Sequence, residues 1–238
     1  MSISIDPFGA MQISYGFFKT IKNWWSNQRP ILQVLQSIAD NNRKVRIFIR
    51  DFFISPRTPL FSKDRSGIGQ VSNVVELWPR VEGIALANIL NVLGQVSKKE
   101  NIEVIEMSKD TGLWDSNLIV LGAQAQKCFD LYKNMKKVAY YMDPELRDSD
   151  THQLVPKEEG YGYGIILKTL NPYTQNGIGL LIGGYGVLGT EAASYYFREH
   201  CRDLGKKFGK KCFGIVVRAS VTAGIESTER IHSFDKCF

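Results

Sequence analysis

Cysteine, histidine and proline are scarce in this chain, at four, three and eight of 238 residues. The cysteines (Cys128, Cys201, Cys212 and Cys237) form no CxxC pair and have no histidine at metal-ligand spacing. They read as separate thiols buried in a reducing compartment, which speaks against a disulfide scaffold and a structural zinc site. His152, His200 and His232 stand far from one another, so position supports neither a Ser–His–Asp nor a Cys–His mechanism, and no metal or cofactor is expected. No apolar run reaches membrane-spanning length. Residues 1–16, MSISIDPFGAMQISYG, contain an acid and no basic stretch, unlike a secretory leader, and the expected location is cytoplasmic. Repeats and low-complexity tracts are missing as well. Nor does one charge dominate: 30 Lys plus Arg against 24 Asp plus Glu leave +6. That excess favours anionic partners without singling out nucleic acid, for which no recognition motif appears.

What is present is the composition of an ordinary globular protein, 44% hydrophobic and 23% charged. Residues 15–25, YGFFKTIKNWW, place Phe17, Phe18, Ile21, Trp24 and Trp25 on one helical face, with Lys19 and Lys22 opposite. A second helix is expected to start at Pro30 and stop at Asn41-Asn42. Together they predict a helical N-terminal segment, residues 1–41, whose aromatic face packs on the body or on a second copy as a homo-oligomer. Residues 42–238 form the main domain. There, strands are predicted at 44–50, 102–107, 117–122, 138–143, 163–170, 178–184 and 213–219, with helices at 79–99, 123–135 and 190–205. LIVL, GIIL and GLLI are continuous apolar runs, the habit of strands covered on both faces. Three strand–helix–strand units, 44–50 to 102–107, 117–122 to 138–143 and 178–184 to 213–219, predict a three-layer, Rossmann-like, mostly parallel α/β sheet with right-handed crossovers. The tail beyond 219 reads as a polar surface wrap.

Ligands in such sheets sit beyond the carboxyl ends of the strands, which makes the residues after each strand the candidates. After 178–184, Gly184, Gly186 and Gly189 satisfy G-x-G-x-x-G, with Thr190 and Glu191 opening a helix. Two explanations stand side by side: glycines that bring backbone amides and a helix start to a phosphate, or glycines that let the helix pack tightly on the sheet. An ordinary NAD-dependent dehydrogenase is disfavoured, because the next strand ends in Arg218 rather than an acid for the ribose. The stretch GGYGVLGTEAA (183–193) resembles the phosphate loop of the lysine-decarboxylase-like Rossmannoid families, which include cytokinin-activating phosphoribohydrolases and their nucleotide-sensing relatives. Their loop reads Gly-Gly-x-Gly-Thr followed by x-x-Glu. Here Val187 and Leu188 separate Gly186 from Gly189-Thr190-Glu191, so Glu191 is off the family spacing. The resemblance implies nucleotide recognition rather than a particular reaction.

A second strand end, NLIVLGAQAQK, offers Gly122 at a turn and Gln124 and Gln126 at a helix start, able to hydrogen-bond a sugar, an amide or a base. Acids complete the set. Asp51 follows the first strand, and Glu82 and Arg80 open the longest helix, where a carboxylate meets either the helix dipole or a ribose. The expected function is binding of a nucleotide-like ligand by Gly122, Gln124, Gly184, Gly186, Gly189, Thr190 and Arg80. Hydrolysis of its N-glycosidic or phosphate linkage would be served by Glu82 or Asp51. The alternative is a non-catalytic nucleotide sensor that controls self-assembly or a partner.

Overall fold

The computed structural model describes residues 22, 26–50, 52–54, 75–77, 79–96, 99–107, 115–122, 140–142, 146–148, 153–155, 157–171, 174 and 177–234. Its strands, in chain order, are Val45–Ile49 (β1), Phe52–Ile54 (β2), Val75–Leu77 (β3), Ile102–Glu106 (β4), Asn117–Leu121 (β5), Tyr140–Met142 (β6), Leu146–Asp148 (β7), Tyr161–Leu170 (β8), Ile178–Gly184 (β9), Phe213–Ser220 (β10) and Glu229–Phe234 (β11). The apolar runs do form the central sheet, seven strands in the order β11-β10-β8-β9-β5-β1-β4. β1 pairs in parallel with β4 and β5, and β5 with β9. β8 is antiparallel to both β9 and β10, and β11 to β10, so β8 and β11 run against the other five.

Three expectations are corrected. The run GIIL lies in β8, which is antiparallel: only residues 171–177 separate it from β9, too few for the helical crossover that parallel neighbours require. Residues 140–142 do not join the main sheet. They pair with β7 across a three-residue link, the length of a hairpin loop. The polar tail returns as edge strand β11 after a turn in which the Ser220 amide donates to Ser227 Oγ at 2.8 Å.

Helical residues are found at 26–35 (α1), continued by a 3₁₀ turn at Gln36–Ala39, and at Arg80–Gly94 (α2) and Gly186–Phe208 (α3). α1 is already helical at residue 26, ahead of the expected start at Pro30, and the chain leaves helix at Asp40, just ahead of the Asn-Asn pair. Pro79 does sit at the start of α2, whose Val81, Ala85, Ile89, Val92 and Leu93 make a buried stripe. Gly205 does not end α3. A Cβ there would stand 1.9 Å from the Pro30 carbonyl oxygen, which makes it the point where α1 meets α3, and Gly209 at φ +57° closes the helix instead.

Residues of all three helices share one core cluster with alternate residues of the sheet, among them Ile47, Ile119, Leu180, Ile166 and Ile215. The residues in between, such as Phe48, Val120, Leu181 and Ile165, are buried to the same degree, so both sheet faces are covered. Ile31, Val34, Leu35 and Ile38 belong to that same cluster. Phe17, Trp24 and Trp25 lie outside the described residues.

Candidate functional site

Neighbouring β1 and β5 are left in opposite directions: the chain passes from β1 to β4 on one side, and β9 lies beyond β5 on the other. At such a point a crevice opens beyond the carboxyl ends of the strands. A cleft of about 180 Å³ occupies it, lined by Arg50 after β1, Gly122 after β5, Gly184 at the end of β9, Val81 and Glu82 from α2, and Gly186, Val187 and Thr190 from α3. The structure thus brings together five residues singled out in the sequence: Glu82, Gly122, Gly184, Gly186 and Thr190.

The glycines divide by role. Only Tyr185 links β9 to α3, which begins at Gly186 rather than at Thr190, so the expected loop is the first turn of the helix. A Cβ on Gly184 would stand 2.1 Å from the Gly189 carbonyl carbon, and one on Gly189 would stand 2.1 Å from the Tyr163 carbonyl oxygen. On β8, Gly164 receives α3 in the same way, 2.2 Å from the Gly189 oxygen. These three glycines let the helix start lie on bare backbone of β8 and β9. Gly186 is different: its φ is +69°, and nothing stands within 4 Å of a Cβ built there. Sterics explain Gly184 and Gly189, while Gly186 opens on the cleft.

α3 reaches the cleft with an unmodified positive end. Tyr185, its N-cap, contributes no side-chain cap, and no acid occupies the first turn. The Tyr185 amide is satisfied by the Tyr163 carbonyl at 2.7 Å, but first-turn amides have no helical partner by geometry. Opposite stands Arg50, 42% exposed, beside the 2% exposed carboxylate of Glu82. Glu82 Oε2 accepts the Arg50 backbone amide, and Oε1 lies 3.1 Å from Arg50 Nε. That Nε–H is not aligned on the oxygen and makes no hydrogen bond, so the contact is an ion pair. Gly122 sits at φ +85°, which favours glycine, and a Cβ there would stand 2.7 Å from Glu82 Oε1 and push the carboxylate from its place. Beneath the cleft, Asn88 ties α2 to α3: it donates to Ser194 Oγ at 3.0 Å and accepts from Arg198 Nη1 at 2.9 Å.

Other candidates fall elsewhere. Arg80 is exposed on the first turn of α2 and is not among the described residues lining the cleft. Asp51 and Gln124 lie outside the described residues. Glu191 is one turn further along α3 and does not line the cleft. Arg218 is committed to Glu229 at 2.7 Å and to Glu158, whose hydrogen bonds raise its pKa above the ordinary arginine value. Sequence reasoning missed Arg50, Val81, Val187 and Gly164. Arg50 was one residue from detection, since it directly follows a strand; Gly162 and Gly164 alternate in YGYGIIL, a pattern that puts both on one sheet face.

A larger cavity of about 330 Å³ lies at the opposite ends of the strands, lined by Arg43, Lys44, Arg46, Asp115, Ser116, Asn117, Thr174 and Gly177. Its cations already have acids: Arg43 with Asp40 at 3.5 Å, Lys44 with Glu103 at 2.9 Å, and Arg46 with Asp115 at 2.8 Å. Lys44 first and Arg46 second hold the Glu103 carboxyl below its ordinary pKa. That end is an ion-pair network. Among the described residues, no group of three or more His, Cys, Asp or Glu is placed to hold a metal, and no helix is long and apolar enough to cross a membrane.

Fold and cleft define an α/β protein with a small strand-end crevice at a change of strand order. No known protein family matches the sequence, and no curated protein matches it either.

Proposed function

We propose that the protein binds a nucleotide or nucleotide-derived ligand at the carboxyl ends of β1, β5 and β9, its phosphate resting on the first-turn amides of α3 and facing Arg50. One observation carries this reading: Gly186, with its left-handed backbone and empty surroundings, stands where an uncapped 23-residue helix meets an arginine in a strand-end crevice. The resemblance of 183–193 to a nucleotide-phosphate loop points the same way. Glu82 lines the same cleft beside Arg50, and its carboxylate is the group that would meet the hydroxyls of a ribose.

A second reading, hydrolysis of the N-glycosidic linkage, is favoured by that same carboxylate. Fixed between α2, Arg50 and Gly122, Glu82 would stabilise the positive charge that develops on the sugar as the bond breaks. Incubation with AMP, NAD and cyclic nucleotides, followed by chromatography and thermal unfolding, separates the readings. Ligand at about 100 times its Kd adds about 2.7 kcal/mol to the native state, which raises Tm by roughly 5–10 °C for a chain of this size. A shift without products supports a sensor, a shift with free base supports a hydrolase, and neither shift nor products refutes both.

A further inference from the structure

The cleft is too small for a whole nucleotide. Sites for small molecules run from roughly 300 Å³ upward, and this one holds about 180 Å³, enough for a phosphate and part of a sugar. A base would have to rest on the rim. Gly186 is flanked in sequence by two large apolar side chains in water: Val187, 62% exposed and lining the cleft, and Tyr185, 42% exposed. Lys157 Nζ lies 4.0 Å from the centroid of the Tyr185 ring, close enough for a cation–π contact. An exposed tyrosine flanked by two cleft-lining glycines and attended by a cation is a stacking surface next to an anion site.

We infer that Tyr185 is the platform on which an aromatic base stacks, so that the ligand is a nucleotide rather than a sugar phosphate. The inference rests on the phosphate site proposed above. Tyr185 makes no side-chain cap on α3, and its backbone sits at an ordinary φ of −78°, so neither the helix cap nor the backbone conformation depends on the ring. Its amide bond to the Tyr163 carbonyl belongs to the backbone and survives substitution. Lys157 adds attraction for the phosphate-bearing ligand as a whole, and its ammonium covers one side of the ring while much of the residue remains open.

Calorimetry on the full chain with three probes, inorganic phosphate, ribose 5-phosphate and AMP, tests the inference. Stacking of one base is worth on the order of tenfold or more in affinity. AMP should therefore bind at least about tenfold more tightly than ribose 5-phosphate. Tyr185→Ala should erase that advantage while leaving ribose 5-phosphate within about twofold, and Tyr185→Phe should preserve it. Equal affinity for AMP and ribose 5-phosphate in the wild type overturns the platform and leaves the phosphate site standing. So does a Tyr185→Ala variant that weakens both ligands equally. If none of the three probes binds, the phosphate site itself is wrong and the platform falls with it. Circular dichroism of Tyr185→Ala, expected to match the wild type, keeps a folding defect from passing as lost stacking.

Discussion

Replacing Gly189, Gly184 and Gly186 one at a time by alanine should give two different phenotypes. At Gly189 the new methyl would stand 2.1 Å from the Tyr163 carbonyl oxygen, 1.3 Å short of an ordinary 3.4 Å contact. The obstacle is the backbone of a central strand, which cannot swing aside as a side chain can. α3 must then back away from β8, opening the interface that holds Ala192, Ala193, Tyr196 and Phe197. Overpacking of this kind costs about 3 kcal/mol, which for a chain of this length lowers Tm by roughly 6–12 °C. Gly184→Ala should behave alike, because its methyl meets the Gly189 backbone at 2.1 Å. Gly186→Ala clashes with nothing, and its cost is the left-handed φ alone, about 1–2 kcal/mol. Scanning calorimetry of the three variants, followed by AMP titration, is the assay. Gly186→Ala should be the most stable of the three yet bind AMP at least tenfold more weakly, because the added methyl occupies the open space that the phosphate would take. Should Gly189→Ala melt with the wild type, the close packing of α3 on β8 is wrong. Should Gly186→Ala bind AMP normally, that glycine serves only the turn.

The remaining expectations concern three buried groups. Glu82→Ala removes the acceptor of the Arg50 amide and the partner of its guanidinium; because Arg50 is partly hydrated, the loss in urea unfolding should be about 2–3 kcal/mol rather than the larger cost of orphaning a fully buried charge. If the protein is a hydrolase, Glu82→Gln should lower turnover on the order of a hundredfold while AMP affinity changes little, since a few kcal/mol of charge stabilisation is at stake only in the transition state. Lys168, 2% exposed, donates to the Gln33 carbonyl at 3.2 Å, and burial lowers its pKa to about 8. The unfolded chain then binds more protons than the native one between about pH 8 and the ordinary lysine value of 10.5, so stability rises with pH across that window. Urea unfolding should show the rise in the wild type and lose it in Lys168→Met, and a fall over that range would refute the assignment. Burial pushes the Cys201 thiol up to about 12, so native protein should resist iodoacetamide at this position until it unfolds, as read by peptide mass spectrometry.

Strands were the readable part of the sequence, because long apolar runs such as LIVL and GLLI end up wherever both faces are covered, whatever the direction of their neighbours. Direction was legible only through linker length. The short stretch 171–177 forbids a crossover, a constraint stronger than the apolar pattern of GIIL. The strand-end cleft could be foreseen because position after a strand is local information, which Gly122, Gly184 and Gly186 carry, while Glu82 was marked by its place at a helix start. What could not be foreseen is which glycine faces a neighbour and which faces open space. That depends on how close α3 lies to β8, a contact between residues more than twenty positions apart in sequence. Arg50 escaped notice for a related reason: its importance comes from Glu82, which reaches it only when α2 folds over the end of β1.

A crystal structure of the full chain with AMP tests the central claim most directly. The phosphate should lie within hydrogen-bond distance of the backbone amides at Gly186–Leu188 with Arg50 facing it, the ribose toward Glu82 and the base on Tyr185. AMP seated instead in the cavity of Arg43, Lys44 and Arg46 at the far end of the sheet, or an empty strand-end cleft at saturating AMP, would contradict it.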